Sequence, residues 1–453
     1  MRFYEEPAKK IPVREFDVVI AGGGTAGVVA AIAAARQGAR TALIESKGYT
    51  GGIVVEGGTA LHSFFNLWKA FPGVEKRQVV KGIPQEIIDR LIERGGSTGH
   101  VEMVTYYDYD SVCTAIDTEI YKLVTHEMLA EAGVHIFLNT MLVGAIMEDD
   151  TIRGVITESR AGREAFYGKA FVDCTGYGDL SAYAGAEYTE PNDHAVANAI
   201  GVGGVDVDRY HEFCKDQNLA QVAIGTRSGE PGKLVRVGFE RGNFPEDIQK
   251  EVDRIGMSFI TTTLHDDYFM FIKLNYKMPV SPTNRDEVVK AELELRQRME
   301  AAIKVIRKIP GCEKAFMART SPSLAIRRGR CIVCDYDITL SDILDGVHFE
   351  DDIMSYGFHD CAPRLKVKDG GTYGIPYRAL RVKGIHNLLV AGMLITSDWD
   401  AHMSTRNTVC CFGQGQAAGT AAALCATKSV GTRELEYSDL REALLDAGVY
   451  LEN

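Results

Sequence analysis

Three glycines and one carboxylate carry the clearest chemistry in this chain. Gly22, Gly24 and Gly27 stand at G-x-G-x-x-G spacing, and Glu45 closes the segment they open. The first glycine permits a tight turn. The second lets a pyrophosphate approach the backbone, because no Cβ intervenes. The third lets a helix pack closely on a sheet. Thr25 and Ala26 fall where the helix would begin, and free N–H groups there point at phosphate. Glu45, followed by Ser46, can accept hydrogen bonds from both hydroxyls of an adenosine ribose. Glutamate rather than arginine at that place argues against a 2′-phosphate, so FAD or NAD is expected over NADP.

The elements that must position these groups are legible around them. Residues 16–20 are a short β-branched run, 26–36 an alanine-rich helix former, and 40–44 a second strand. The whole fits one βαβ unit. Beyond it, residues 82–94 and 117–132 predict helices. Strands are expected at 135–138, 142–147, 152–158 and 169–173, including a three-stranded meander inserted into a parallel fold. Turns and polar loops dominate from about 185 to 375, where one long helix is expected at 285–308. The α/β pattern returns at Asn387, and a last alanine-rich helix is expected at 415–426. The fold class expected is therefore α/β: a Rossmann-like, doubly wound nucleotide-binding domain with an inserted β-meander, plus a second α+β substrate or cap domain. The first domain would comprise 1–184 and 376–453, with 63–111 contributing to the substrate side. The second would comprise 185–375.

Composition narrows the function classes. The chain has 453 residues, 45% hydrophobic and 25% charged, with net charge −12. Acidic balance and the lack of a basic run argue against a nucleic-acid partner. The first 14 residues hold charges and no apolar stretch of the signal-peptide kind, and no run is long enough to span a bilayer, so a cytoplasmic protein with no membrane partner is expected. Ten cysteines in this setting read as reduced thiols. Cys331 and Cys334 form one C-x-x-C, and a second spaced pair is not evident, so no metal site is expected. A redox dithiol there is the minority reading. No G-x-S-x-G elbow or H-E-x-x-H motif supports hydrolase or metalloprotease chemistry.

Later motifs add a resemblance. Gly51-Gly52 follows Glu45, Val143 lies in the meander, and a strand ends at Asp173-Cys174-Thr175-Gly176 followed by Asp179. A final segment runs from Gly392 through Gly413, Gln416 and Ala417. With YTGGIVVEGGTA, AIRRGRCIVCDYDIT and YGIPYRAL, these motifs make the chain resemble FAD-dependent oxidoreductases of the xanthan-lyase-like or heterodisulfide-reductase-subunit-like kind, with a glutathione-reductase-type FAD fold. The resemblance spans nearly the whole chain. It implies FAD as cofactor. It also implies pyrophosphate contacts at Gly51-Gly52, adenine contacts through the backbone of Val143, and an isoalloxazine facing the C-terminal helix. Relatives usually carry Arg-Glu-Ser/Thr-Arg-Arg before a Gly-Asp-Tyr-like strand. Here Arg327 and Arg330 match the outer arginines, while Arg328, Gly329, Cys331 and Cys334 depart from the pattern. The cysteine-rich cluster-binding insert of heterodisulfide-reductase subunits is absent from the sequence.

Within that frame His402 is the expected acid/base, between the flavin strand and the flavin-facing helix. Arg406 would neutralise a substrate carboxylate or the flavin pyrimidine. Arg327 and Arg330 would hold an anionic or hydroxylated substrate, and Tyr377 would edge the same pocket. His62, beyond the glycine loop, suggests flavin or substrate contact more than covalent attachment. His359-Asp360 is discounted as a dyad. The activity expected is hydride transfer between a small polar metabolite, hydroxylated or carboxylated, and flavin N5. An FAD-dependent monooxygenase and a non-catalytic electron-transfer subunit are the alternatives. The electron donor or acceptor is unknown, and a homo-oligomer stays open.

Overall fold

Five strands from both ends of the chain build one parallel sheet. Its order is Leu388–Val390, Ala170–Asp173, Val18–Ala21, Thr41–Ile44 and His135–Phe137. The first four strands are buried on both faces, which is why their sequences are continuous apolar runs instead of alternating ones. The computed structural model describes residues 3–56, 61–63, 66–67, 77–105, 112–217, 219–239, 244–357, 367–396 and 398–452.

Helix Thr25–Arg36 crosses from the first strand to its neighbour, with Thr25 through Ala34 buried. Against it lies helix Thr408–Lys428, which begins well before the expected 415. The two backbones nearly touch. A Cβ on Gly415 would stand 2.3 Å from the carbonyl oxygen of Ala26, and one on Gly419 would stand 2.0 Å from that of Ala30.

The meander is present but displaced from its expected bounds. Met141–Glu148, Thr151–Ser159 and Gly162–Tyr167 pair antiparallel, and Val13–Glu15 adds a parallel edge. The strand at Gly162–Tyr167 was not expected. Ala170–Asp173 belongs to the parallel sheet instead.

The region from 185 to 375 corrects the expectation of turns and polar loops. Its strands Phe316–Thr320, Ala195–Gly203, Tyr268–Pro279, Met257–Thr262, Glu230–Phe239 and Leu219–Arg227 lie side by side in one sheet. Ser97–Thr105, Val112–Ile116 and Leu61–Ser63 extend it to nine strands. Helix Arg285–Ile306 covers this sheet with Ala291, Leu295, Met299 and Ala302, packed in one core with Phe269, Ile272 and Leu274. Among the described residues no helix is long and apolar enough to cross a membrane.

Candidate active site

The glycine turn forms a cradle. Gly22 takes φ +92°, and a Cβ there would meet the carbonyl oxygen of Cys174 at 2.5 Å, so the Asp173–Gly176 turn lies directly on the first glycine loop. A Cβ on Gly27 would stand 1.8 Å from the oxygen of Gly22, which is the close helix packing the third glycine permits. Gly24 differs. A Cβ there would find only Cys174 O and Gly52 Cα, each at 3.9 Å. Gly24 also caps helix Thr25–Arg36, with no side-chain cap and no acidic residue in the first turn. An open helix N-terminus beside space a Cβ would enter suits a pyrophosphate. Gly51 closes one side: its N–H donates to Gly23 O at 2.8 Å, and Thr25 Oγ1 donates to Gly51 O at 3.4 Å.

Glu45 stands at the strand end as expected and is 9% exposed. Its carboxylate accepts from Gly23 N at 2.7 Å, Lys47 N at 2.8 Å and Ser46 Oγ at 3.1 Å. A carboxylate has roughly four acceptor positions, so one remains for a ribose hydroxyl. Val143 sits in a register shift between Leu142 and Gly144, so its backbone drops out of the ladder with 151–159. Unpaired backbone on an edge strand is what contact with an adenine requires.

The Asp173 carboxylate, 0% exposed, fixes the second turn. It accepts from Thr175 N and Oγ1 and from Ser181 N and Oγ, at 2.7–3.0 Å. Gly176 follows with φ +78°. Gly392, φ +106°, donates its N–H to Gln414 Oε1 at 2.8 Å, and Gln414 Nε2 donates to Thr405 O at 2.9 Å. Gln414 thus joins the turn after strand Leu388–Val390 to the short helix Trp399–Thr405. The sequence reading missed it. These groups fit FAD: they would hold its pyrophosphate at Gly24, Gly51 and Gly52, its ribose at Glu45 and its adenine at Val143.

Beside this cradle lies a basic corner. His402, 0% exposed, belongs to helix Trp399–Thr405, and its Nε2–H donates to Arg327 O at 3.0 Å. Its buried Nδ1 has no hydrogen-bond partner among the described residues. Burial first, then the Arg406 guanidinium, depress its pKa to about 3, with Arg328 and the His194 imidazole adding to the effect. His194 comes from the residue just before strand Ala195–Gly203, its ring 6.3 Å from that of Trp399. Burial and the cations of Arg406, Arg327, Arg328 and Lys273 lower it to about 3 as well. Arg328, 3% exposed, has Asp193 at 3.5 Å. Arg406 ends the short helix, and its backbone oxygen accepts from Cys411 Sγ at 3.3 Å. Cys411 in turn is close enough to Cys174 to raise that thiol, after burial and Asp173. The corner therefore abuts the nucleotide turn. His194 and Lys273 were missed because nothing in their local sequence marks them.

Other candidates fall elsewhere. Arg330 does not join His402. Its Nη1 donates to Tyr177 O and the Asp179 carboxylate, each at 2.9 Å, so Arg330 and Asp179 clamp the Thr175–Gly176 turn from outside. Tyr377 leaves the pocket too. It is 2% exposed, and its hydroxyl donates to Thr432 O at 2.9 Å, beside Cys425 near the far end of helix Thr408–Lys428. Gly413, Gln416 and Ala417 lie one to three turns inside that helix and not at its open end. A Cβ on Gly413 would meet Met354 Sδ at 2.6 Å. Gln416 Oε1 accepts from Ile83 N at 3.0 Å, and Ala417 is fully buried. The contacts they make are packing contacts within the fold. Cys331 and Cys334 are buried and their thiols raised by burial, unlike a reactive dithiol. His62 Cα pairs with Thr114 in the sheet, though its side chain lies outside what is described. His359, Asp360, Gly57 and Gly58 lie outside the described residues.

A parallel sheet with a glycine cradle at its carboxyl edge, joined to a large antiparallel sheet, defines a dinucleotide-binding flavoprotein. The pattern of the FAD dependent oxidoreductase family matches residues 17–444, and the chain belongs to that family. It is an FAD-dependent oxidoreductase enzyme. Among solved structures it is similar to p-nitrophenol 4-monooxygenase from Pseudomonas putida, at 13% identity over 97% of this chain and 89% of that chain, TM-score 0.48. A flavoprotein/dehydrogenase from Cytophaga hutchinsonii matches at 12% identity over 95% and 83%, TM-score 0.47. The myxobacterial chondrochloren halogenase matches at 12% over 95% and 78%, TM-score 0.47.

Proposed function

We propose that the enzyme exchanges a hydride between a small polar metabolite, hydroxylated or carboxylated, and the N5 of FAD. FAD supplies a two-electron acceptor or donor. The observation that carries this reading is the corner of His402, His194, Arg327, Arg328 and Arg406 set against the nucleotide turn. Guanidiniums bind and orient an anionic or hydroxyl-bearing group. His402 is held in one orientation by the carbonyl of Arg327, which directs Nδ1 to accept or return a proton. The buried surroundings of His402 keep bulk water from that atom. The chain's partners on this reading are a small-molecule substrate and an electron donor or acceptor still to be identified. Every described cysteine is free and buried, which supports a reducing, cytoplasmic setting.

The test is anaerobic. The holoenzyme is mixed with single metabolites, alcohols and carboxylic acids among them, and bleaching of the flavin's visible band is followed. Bleaching by a member of the panel is expected. His402→Ala should slow that bleaching by about 10²–10⁴-fold while FAD content stays level. Oxygen consumption driven only by NAD(P)H, with no metabolite able to bleach the flavin, would overturn the reading in favour of a monooxygenase.

A further inference from the structure

We infer that the phenol of Tyr121 is a further ligand of the cofactor, its hydroxyl donating to an oxygen of the flavin-side phosphate of FAD. This contact belongs to the nucleotide cradle, whichever substrate the flavin serves.

Tyr121 stands in the first turn of helix Thr118–Glu131 and is 0% exposed. Its backbone is firmly held. Asp117 caps the helix through Glu119 N and Ile120 N, Tyr121 N donates to Asp117 O at 2.9 Å, and Tyr121 O accepts from Thr125 Oγ1 at 2.9 Å. The ring packs against two pieces of the FAD half. One is Phe412, whose ring stacks on it with centroids 6.4 Å apart. The other is Gly51, with φ +115°. A Cβ on Gly51 would stand 3.0 Å from Tyr121 Cε1 and 2.9 Å from Val55 Cγ1, so the phenol fills space that a side chain at 51 would need. Cε1 is bonded to the carbon that carries the hydroxyl. The hydroxyl end of the ring, not its base, therefore reaches Gly51.

That hydroxyl is buried and has no hydrogen-bond partner among the described residues. A phenylalanine ring would fill the same space, and an unmet buried hydroxyl destabilises a fold. Burial also pushes the phenol's pKa upward, so the group stays a donor and calls for an acceptor. The wall it reaches belongs to the cradle. Gly51 N donates to Gly23 O at 2.8 Å, and Gly51 O accepts from Thr25 Oγ1 at 3.4 Å. A Cβ on Gly52 would stand 2.9 Å from Gly24 Cα and 3.3 Å from Thr25 N, so residues 51–52 lie across the uncapped start of helix Thr25–Arg36. The helix N–H groups and the phenol thus bring donors from separate elements to one place, and phosphate oxygens accept from both.

The ends of the cradle decide which phosphate. Glu45 marks the adenosine ribose. Phe412 belongs to helix Thr408–Lys428, which lies toward the isoalloxazine when FAD is bound in this cradle. A ring lodged between Gly51 and Phe412 is on the flavin side. Tyr49 also has a buried hydroxyl without a partner among the described residues, but the carboxylates of Glu56 and Glu45 act on it, and such surroundings repel phosphate.

Tyr121→Phe removes the hydroxyl and keeps the ring. FAD affinity is read from the flavin fluorescence that appears when the holoenzyme is diluted. ADP and AMP are then used to displace FAD. ADP carries both phosphates of the pyrophosphate, and AMP lacks the flavin-side one. In the variant, FAD and ADP should each bind about 10- to 100-fold more weakly, the loss expected for a hydrogen bond to a charged acceptor. AMP should bind as it does to the wild type. The FAD-free variant should melt no lower than the FAD-free wild type, because the group removed is unmet there. Unchanged FAD affinity would overturn the inference. So would an AMP affinity that falls as far as that of ADP, which reports a disturbance at the adenosine end. FAD weakened with ADP unchanged moves the contact beyond the phosphate and rejects the assignment. A FAD-free variant that melts well below the wild type, or does not fold, shows the hydroxyl already bonded within the protein and rejects it as well. None of these outcomes bears on hydride exchange, which rests on His402 and is tested by bleaching of the flavin.

Discussion

Glu45 shows how one residue serves both fold and cofactor. Its place after the second strand made it readable as a ribose ligand, and it stands there. Its carboxylate also holds Gly23 N and Lys47 N, so it shapes the glycine turn itself. The sequence could not show this second duty, because the partners are backbone N–H groups that any residue would carry. Glu45→Ala is therefore expected to weaken FAD binding by about 1.5–3 kcal/mol through the lost charged hydrogen bond, and to lower the melting temperature of the FAD-free protein as well. Apoprotein reconstitution followed by fluorescence, with a thermal scan of each form, separates the two effects. An unchanged melting temperature would mean the turn holds without the carboxylate. The site was half legible at this scale. His402, Arg327 and Arg406 carry charge or imidazole in motif segments. His194 stands just before strand Ala195–Gly203 and Lys273 lies in its neighbour Tyr268–Pro279, far in sequence from the motif segments, and no local pattern records their approach to the corner.

At the level of elements, the long C-terminal helix was misread at its start. Residues 408–413 are Thr, Val, two Cys, Phe and Gly, none a strong helix former, and burial against Met354 and the first helix overrides that weakness. The strands between 195 and 320 were missed for a related reason. Tyr268–Pro279 mixes buried aromatics with Lys273, Asn275 and Lys277, and bulges interrupt the pairing at several points, so period-2 alternation breaks. The βαβ unit was legible because its glycines and apolar runs are local signals. Gly415 and Gly419 were not singled out for the contact they make. A methyl at either must push against a carbonyl of helix Thr25–Arg36. Gly419→Ala should destabilise the holoenzyme by roughly 1–3 kcal/mol or more and displace the open helix end that serves the pyrophosphate. Chemical denaturation and the ratio of bound FAD to protein give the readouts. Wild-type stability with full FAD content would show that the two helices can part at no cost.

Across the whole molecule, Glu452 is tied to strand Asp352–Tyr356 and to Arg77 by a charged latch. His348 Nδ1 bonds Asp352 Oδ2 at 2.8 Å, and its Nε2 lies 3.1 Å from Glu452 Oε2. Arg77 Nη2 reaches Glu452 Oε1 at 2.6 Å, and Glu452 N donates to Ser355 Oγ at 3.2 Å. Strand Asp352–Tyr356 carries this latch on one end and Met354, packed on Gly413, in its middle. Burial alone would lower His348, but its bonds to Asp352 and Glu452 outweigh burial and raise it to about 9. Burial would raise Glu452, yet His348, Thr372 and Arg77 bring it down to about 2. Burial pushes Asp352 upward even with His348 beside it. The signs follow from linkage. A raised histidine contributes fully below its unfolded value near 6.5 and loses that contribution as pH climbs through 9. A lowered glutamate contributes above about 4.3 and loses it as pH falls through 2. The latch is strongest at mildly acidic pH. A second histidine acts in the same sense: His265, raised by its 2.7 Å bond to Asp117, joins the nine-stranded sheet to the start of helix Thr118–Glu131. Melting temperature should therefore fall between pH 6 and pH 9, by an amount corresponding to about 1–3 kcal/mol from His348. His348→Gln should flatten much of that slope and leave the remainder to His265. A wild-type melting temperature that is level or rising over the interval, or a variant with an unchanged slope, would show that the latch carries no pH-dependent stability.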